Sequence, residues 1–209
     1  MAEMSMNKAI HGAFRRDLNR FVEALAAFEP GDDKRARQLA TAWANFDDQL
    51  THHHEGEHEI AWPALEAMGV SRELLDRMDA EHETMASALA DTRSAMSALA
   101  QSAQAADVTT AASAFQHLQA VTVAHLDHEE AELEPFYLEK RETPEMKAMG
   151  RKFGKVSPAR GGRFFAWITD GASPDEIAVV KGNVPAPVLA IIGGTFGRDY
   201  RKNVAPVWK

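Results

Sequence analysis

Cysteine is absent from all 209 residues. That excludes disulfides, zinc-thiolate sites, iron-sulfur clusters and thiol catalysis, so any metal must take nitrogen and oxygen ligands. Long apolar runs are missing too. No segment approaches the roughly 18 apolar residues of a membrane span, and the opening MAEMSMNKAI has no apolar stretch of the kind a secretory leader carries. A soluble, cytoplasmic protein with no membrane partner is expected. No nucleophile triad, phosphate-binding glycine loop or dinucleotide fingerprint occurs. What the chain does have is 45% hydrophobic residues, ample for a sizeable core.

Charge is unevenly divided. Through Thr143 there are 12 Lys and Arg against 26 Asp and Glu, whereas from Pro144 onward there are 11 against 5, about −14 and +6. The basic residues of the second part are spread over its length without a recognition motif, so no nucleic-acid partner is expected. The simpler reading folds this tail against the acidic surface of the chain itself.

Four segments carry helical periodicity. In the first, Asn7, His11, Phe14, Leu18, Phe21, Leu25 and Phe28 recur in steps of three and four up to a turn at Pro30 and Gly31. The second runs through Leu39, Trp43, Phe46, Leu50, His53, Glu57 and Ile60. A third, with Ser71 as its cap, carries Leu75, Met78, His82, Met85, Leu89, Met96 and Leu99. The fourth, with Asp107 as its cap, carries Phe115, Leu118, Val121, His125, Glu129, Leu133 and Phe136. Short links predict an all-α, up-down-up-down antiparallel four-helix bundle over 1–143.

Polar groups recur on these apolar stripes. HHEGEHEIAWP, beginning at His53, and HLDHEEAELEP, beginning at His125, share one spacing: a histidine, a glutamate four residues on, and a proline six further. Residues four apart lie one turn above each other on one helical face, so each pair aims an imidazole and a carboxylate the same way. His11 and His82 sit singly on the other two stripes. A lone core histidine is most often a hydrogen-bonded structural residue, but burying two unpaired carboxylates is very unfavourable unless cations offset their charge. The six residues His11, His53, Glu57, His82, His125 and Glu129 are therefore expected to ring two metal ions, both glutamates bridging. The competing reading is a buried His-Glu hydrogen-bond network. His52, His58, His117 and His128 are displaced around their helices and are read as solvated or supporting; whether His54 ligates is left open.

This pattern, a histidine, then HxxxE, a histidine, then HxxxE on successive helices, resembles hemerythrin-type HHE cation-binding proteins of the bacterial kind. The resemblance spans roughly residues 6–140 and includes the endings IAWP and, less closely, LEPF. It implies the same six ligands and a hemerythrin-like bundle. It departs from the oxygen carriers, whose third helix supplies two histidines four apart: four residues after His82 stands Ala86. Fewer protein ligands leave more positions for exogenous ones.

The donor set suits iron or manganese, with zinc a possible substitute. The resemblance favours two iron ions, oxo- or hydroxo-bridged. The expected partner is a small diatomic ligand such as dioxygen or nitric oxide, or else peroxide. A di-iron oxidoreductase, a non-catalytic gas or metal sensor or store, and a structural metal staple all remain open. Trp43, Phe14, Leu50 and Met85 are candidate pocket walls. Residues 144–209 are expected to form two or three short helices packed on the bundle or on a second subunit, as in a homodimer. One begins at Thr143 and Pro144 and ends near Gly150, and one begins at the capping box Ser173, Pro174 and Glu176. Gly154, Pro158, Gly161 and Gly162 are read as a loop, RFFAWITD as helical or extended, and the last stretch as a helix broken at Gly193 and Gly194.

Overall fold

The computed structural model describes residues 4–209; the first three residues, part of the opening MAEMSMNKAI on which the expectation of no secretory leader rests, lie outside the described residues. Five helices make the first part: α1 (Met6–Ala26), α2 (Asp33–Gly56), α3 (Trp62–Ala67), α4 (Arg72–Ser102) and α5 (Ala105–Lys140), with no strand among the described residues. Side chains close the orphan N–H groups at three helix starts: Ser5 accepts from Lys8, Asp32 from Arg35 and Ser71 from Leu74. The fourth start differs from the expected Asp107 cap. Ala103 turns the chain in a left-handed conformation, φ 50°. Helix α5 then begins after Gln104 with no side-chain cap, and the Asp107 carboxylate instead accepts from the Ser102 hydroxyl at the end of α4.

The four long helices contact one another in a ring: α1 with α2, α2 with α4, α4 with α5, α5 with α1. Their directions follow from cross-helix bonds. Ser5 pairs with Glu134, Arg15 with Asp127 and Asn19 with Gln119, so α5 descends as α1 ascends. Arg93 holds Asp47 while Asp79 faces His58, which sets α4 against α2 in the same way. The backbone N–H of Gly31 donates to the carbonyl of Ala103 at 2.7 Å, tying the α1–α2 turn to the α4–α5 turn at one end. This is the up-down-up-down order.

The interior has three layers. A large apolar cluster contains Phe14, Phe21, Phe46, Leu50, Met85 and Phe115, and a smaller one contains Trp62, Leu65, Met78, Leu133 and Tyr137. Along α2, α4 and α5 the ligand candidates fall between them. The continuation of α2 is not regular: Glu57–Ala61 forms a π-helical turn in which the Trp62 N–H reaches back five residues to the Glu57 carbonyl. Pro63 would clash with the carbonyl four residues before it in a regular α-helix, and the widened turn relieves this.

The remainder is helical: α6 (Pro144–Phe153), α7 (Pro158–Thr169), α8 (Pro174–Asn183), then two helical runs, the first Ala186–Phe196, whose central Leu189–Gly193 is π-helical, and the second ending at Trp208. Thr143 and Ser173 cap as expected, the latter in a full capping box. Gly161 and Gly162, read as loop, lie inside α7 instead, and Gly193 and Gly194 do not break their helix. The reason is close packing. A Cβ on Gly162 would fall 2.4 Å from the Phe196 Cβ and 2.7 Å from the Ile192 carbonyl oxygen, so glycine lets two helix backbones meet.

Helices α7 and α8 lie on α1, and the last run lies on α2. Trp167 is fully buried, 4.9 Å from Phe14, and its indole N–H donates to Asp17 at 2.8 Å. Arg16 and Arg20 hold the other Asp17 oxygen, and Arg20 also reaches Asp170. The expected charge match with the acidic part contributes less: among the described residues, two cations of the tail's helices pair with acids before Pro144, Arg160 with Asp48 on α2 and Lys147 with Glu142 in the link before α6. Apolar burial around Trp167 and Tyr200 holds the tail.

Candidate metal centre

The middle layer brings together all six residues read from the sequence. They form two groups whose ligand atoms lie within 4.8 Å of one another: His11, His53, Glu57 and Glu129, and His54, Glu57, His82 and His125. Glu57 belongs to both. Glu129 belongs to the first, its Oε2 standing 3.9 Å from His125 Nε2. Helix α1 supplies His11, α2 supplies His53, His54 and Glu57, α4 supplies His82, and α5 supplies His125 and Glu129.

The orientation of the rings is fixed from behind. Glu130 lies 3.1 Å from His11 Nδ1 and is itself held by Arg15, while Glu81 takes His125 Nδ1 at 2.8 Å and His128 Nδ1 at 2.7 Å. Asp79 stands 3.8 Å from His82 Nδ1 and accepts from the Trp62 indole at 2.7 Å. A carboxylate at Nδ1 keeps the proton there and leaves the Nε2 lone pair facing inward. Inward, lone pairs meet lone pairs. His82 Nε2 is 3.0 Å from His125 Nε2 and 3.4 Å from Glu57 Oε2; His53 Nε2 is 3.1 Å from Glu57 Oε1; His11 Nε2 is 3.2 Å from Glu129 Oε2. His53 Nε2, His54 Nε2, both Glu57 oxygens and Glu129 Oε2 are buried without a hydrogen-bond partner. Converging buried acceptors need a positive charge among them, and metal cations supply it.

Titration behaviour reflects the same crowding. Burial, then the neighbouring imidazoles, hold His53 and His54 well below their ordinary range, and burial, then His125, brings His82 down to about 4. Burial and then the charge of Glu129 push Glu57 well up. Burial opposes ionisation of Glu129 also, but His11, His125 and His82 outweigh it and draw its carboxyl down. His11 is raised, since Glu129 and Glu130 outweigh burial there. The group thus favours neutral imidazoles on its α2 and α4 side, the form that ligates.

His54, which the sequence left open, sits in the second group with its ring stacked on His82 at 4.1 Å. Successive helical residues point about 100° apart, which prevents both from serving one ion but suits two: His53 faces α1 and His54 faces α4. His54 thus stands with His82 and His125 in the group to which Ala86 offers no imidazole. The signal in the sequence is the run of three histidines at 52–54, which presents adjacent imidazoles in different directions. Beyond the carboxylates Asp79, Glu81 and Glu130, no site role was read from the sequence for Asn7, Ser5 and Tyr137 either. Asn7 donates to Glu129 at 2.9 Å, Ser5 holds Glu134, and Tyr137 is buried near Glu57 and Glu129. Of the proposed walls, Phe14 is 5.1 Å from the His53 ring, whereas Trp43 packs on Phe46 and Phe115 in the large cluster. Trp62, parallel to His82 at 5.9 Å, walls the opposite side. His52 and His58 pair with Glu55 and Asp79 at the surface, and His117 is exposed.

An antiparallel helical bundle with facing imidazoles and carboxylates in a buried layer defines a cation-binding protein of the histidine-carboxylate class. The Hemerythrin HHE cation binding domain profile matches residues 5–137. The chain belongs to this hemerythrin HHE family. Searches of curated proteins and of solved structures returned no match.

Proposed function

We propose that the chain is a non-heme di-iron protein that binds or reacts with dioxygen, peroxide or nitric oxide. The observation that carries the reading is the convergence of two four-residue donor groups on a shared Glu57, with five buried donor atoms lacking any partner. Four imidazole or carboxylate residues per ion suit iron and leave positions open in a six-coordinate sphere. His11 and His53 would hold one ion and His54, His82 and His125 the other, with Glu57 and Glu129 shared between them. When bound, such a pair supplies ferrous-ferric redox chemistry.

The protein's own part is positioning and exclusion. Glu81 and Glu130 hold the His125 and His11 rings so that Nε2 faces inward. Phe14 and Trp62 keep water from the two flanks. Asn7 fixes Glu129 through its side-chain N–H.

Protein purified without chelators from iron-supplemented cells should carry about two irons per chain. Its near-ultraviolet charge-transfer bands should change on adding peroxide, dioxygen or nitric oxide to the appropriate redox state. One ion or none overturns the reading. A colourless protein loaded with zinc alone under the same conditions favours a structural metal instead.

A further inference from the structure

The helical run Ala186–Phe196 lies on α7 with half of itself uncovered. Leu189, Ile192 and Gly193 face α7, where Ile192 packs over Gly161 and Gly162. The opposite face, Val188, Ala190, Ile191, Gly194 and Thr195, is exposed; Ile191 is 62% exposed and Phe196 42%. No charged residue occurs from Asn183 to Gly197. Exposed Val156, also against Gly161, extends the apolar surface across α7. Contiguous outward apolar surface on a helix is uncommon and marks a contact. With α8, this run has membrane-seeking composition, but the pair is bent by 107° and no single helix is long and apolar enough to cross a membrane.

The rim decides what covers it. Lys152 and Lys155 precede Val156, Lys181 ends α8, and Arg198 and Lys202 follow the run; all five are exposed, with no carboxylate within 4.0 Å among the described residues. Beneath the helix opens a shallow cleft of about 330 Å³, lined by Phe165, Ile177, Val180 and Leu189, with Lys181 and Arg201 at its edge. A two-fold contact with a second copy would set this cationic rim against itself. An anionic lipid surface complements it: apolar side chains enter the boundary between headgroups and acyl chains while Lys and Arg meet the phosphates.

We propose that the face formed by Ala186–Phe196, with its cationic rim, docks peripherally on anionic membranes, holding the bundle and its metal layer at the bilayer surface. The expectation of no membrane partner is the opposite outcome of the vesicle test.

The test is co-sedimentation of the full-length, metal-loaded protein with phosphatidylcholine vesicles, with and without phosphatidylglycerol. Binding should require phosphatidylglycerol and weaken as salt rises. Each cation at such a surface is worth roughly fivefold in affinity, so Lys181→Glu with Arg198→Glu should weaken binding about 25-fold or more. Ile191→Asp with Val188→Asp should abolish it, leaving metal content and melting unchanged, which shows the fold intact. Equal binding to both vesicle types, no binding to either, or undiminished binding by the aspartate variant overturns the proposal. So does a wild-type dimer that the aspartate variant dissociates and that ignores vesicles, because the face would then belong to a second copy.

Discussion

Removing the metal should soften the whole fold, and the structure sets the scale. Five buried atoms, His53 Nε2, His54 Nε2, both oxygens of Glu57 and Glu129 Oε2, have no partner within the protein. An unsatisfied buried polar atom costs about 1–3 kcal/mol, which places the metal-free penalty at roughly 5–15 kcal/mol before relaxation. Relaxation lowers it, since burial raises Glu57 toward its neutral, protonated form. Linkage gives an independent figure. A ligand at a thousandfold excess over its dissociation constant stabilises by about 4 kcal/mol. For a chain of this size each kcal/mol moves the melting temperature by about 2–4 °C, so chelation should lower it by about 8–16 °C at matched pH and salt. Differential scanning calorimetry on loaded and chelated samples measures this directly. Coinciding melts would refute the reasoning, because the donor atoms could not then sit in a layer on which the two apolar clusters depend.

The same groups fix a pH dependence. His82 falls from its ordinary 6.5 to about 4 in the folded chain, and His53 and His54 lie well below as well. The unfolded chain therefore binds more protons through this range, so stability is present above pH 6.5 and is lost as pH falls from 6.5 toward 4. Metal leaves in the same window, since protonated imidazole does not ligate. Circular dichroism melts and metal content should decline together on acidification. Glu57 acts oppositely: its raised carboxyl favours the fold at low pH, and that contribution is lost as pH rises above its ordinary 4.5.

Glu57→Gln should release metal yet leave the chelated protein more stable than chelated wild type at mildly alkaline pH, with little difference at mildly acidic pH; melts with chelator at both values check it. His54→Ala should take metal content from about two ions per chain toward one, read by elemental analysis, whereas unchanged content would remove His54 from the site. Glu81→Gln or Glu130→Gln should weaken metal binding about 10–100-fold in competition with a chelator, and His117→Ala should not.

Legibility followed periodicity. His11, His53, Glu57, His82, His125 and Glu129 were readable because each interrupts an apolar stripe with a group too polar to bury alone. His54 was not, because it is off the stripe of its own helix; only the two donor groups, lying in two directions from α2, give it a place. Local chemistry fixed the starts of α4, α6 and α8 through Ser71, Thr143 and Ser173. Where local chemistry and packing competed, packing won: Gly161 and Gly162 signal a loop in isolation, yet Ile192 and Phe196 press on them in a helix. The α1 face under the tail was hidden for another reason. Its residues Arg16, Asp17 and Arg20 pair with one another along the helix, and their remaining partners, Trp167 and Asp170, lie some 150 positions on.

Helix α1 is consequently buried on two sides with different chemistry. One stripe carries His11 and Phe14 into the bundle, while the other carries Gly12, Arg16, Asp17 and Arg20 beneath α7 and α8, Glu176 lying where a Cβ on Gly12 would stand. Phe14 is the joint, since it touches the His53 ring at 5.1 Å on one side and the Trp167 ring at 4.9 Å on the other. A bundle helix buried on one side can rotate or shift a little to follow its ligands, but one clasped on both sides cannot without breaking the Asp17 pairings. Trp167, outside the matched domain, thus packs on the same Phe14 that packs on the His53 ring, so a path of direct contacts runs from the tail to the metal layer.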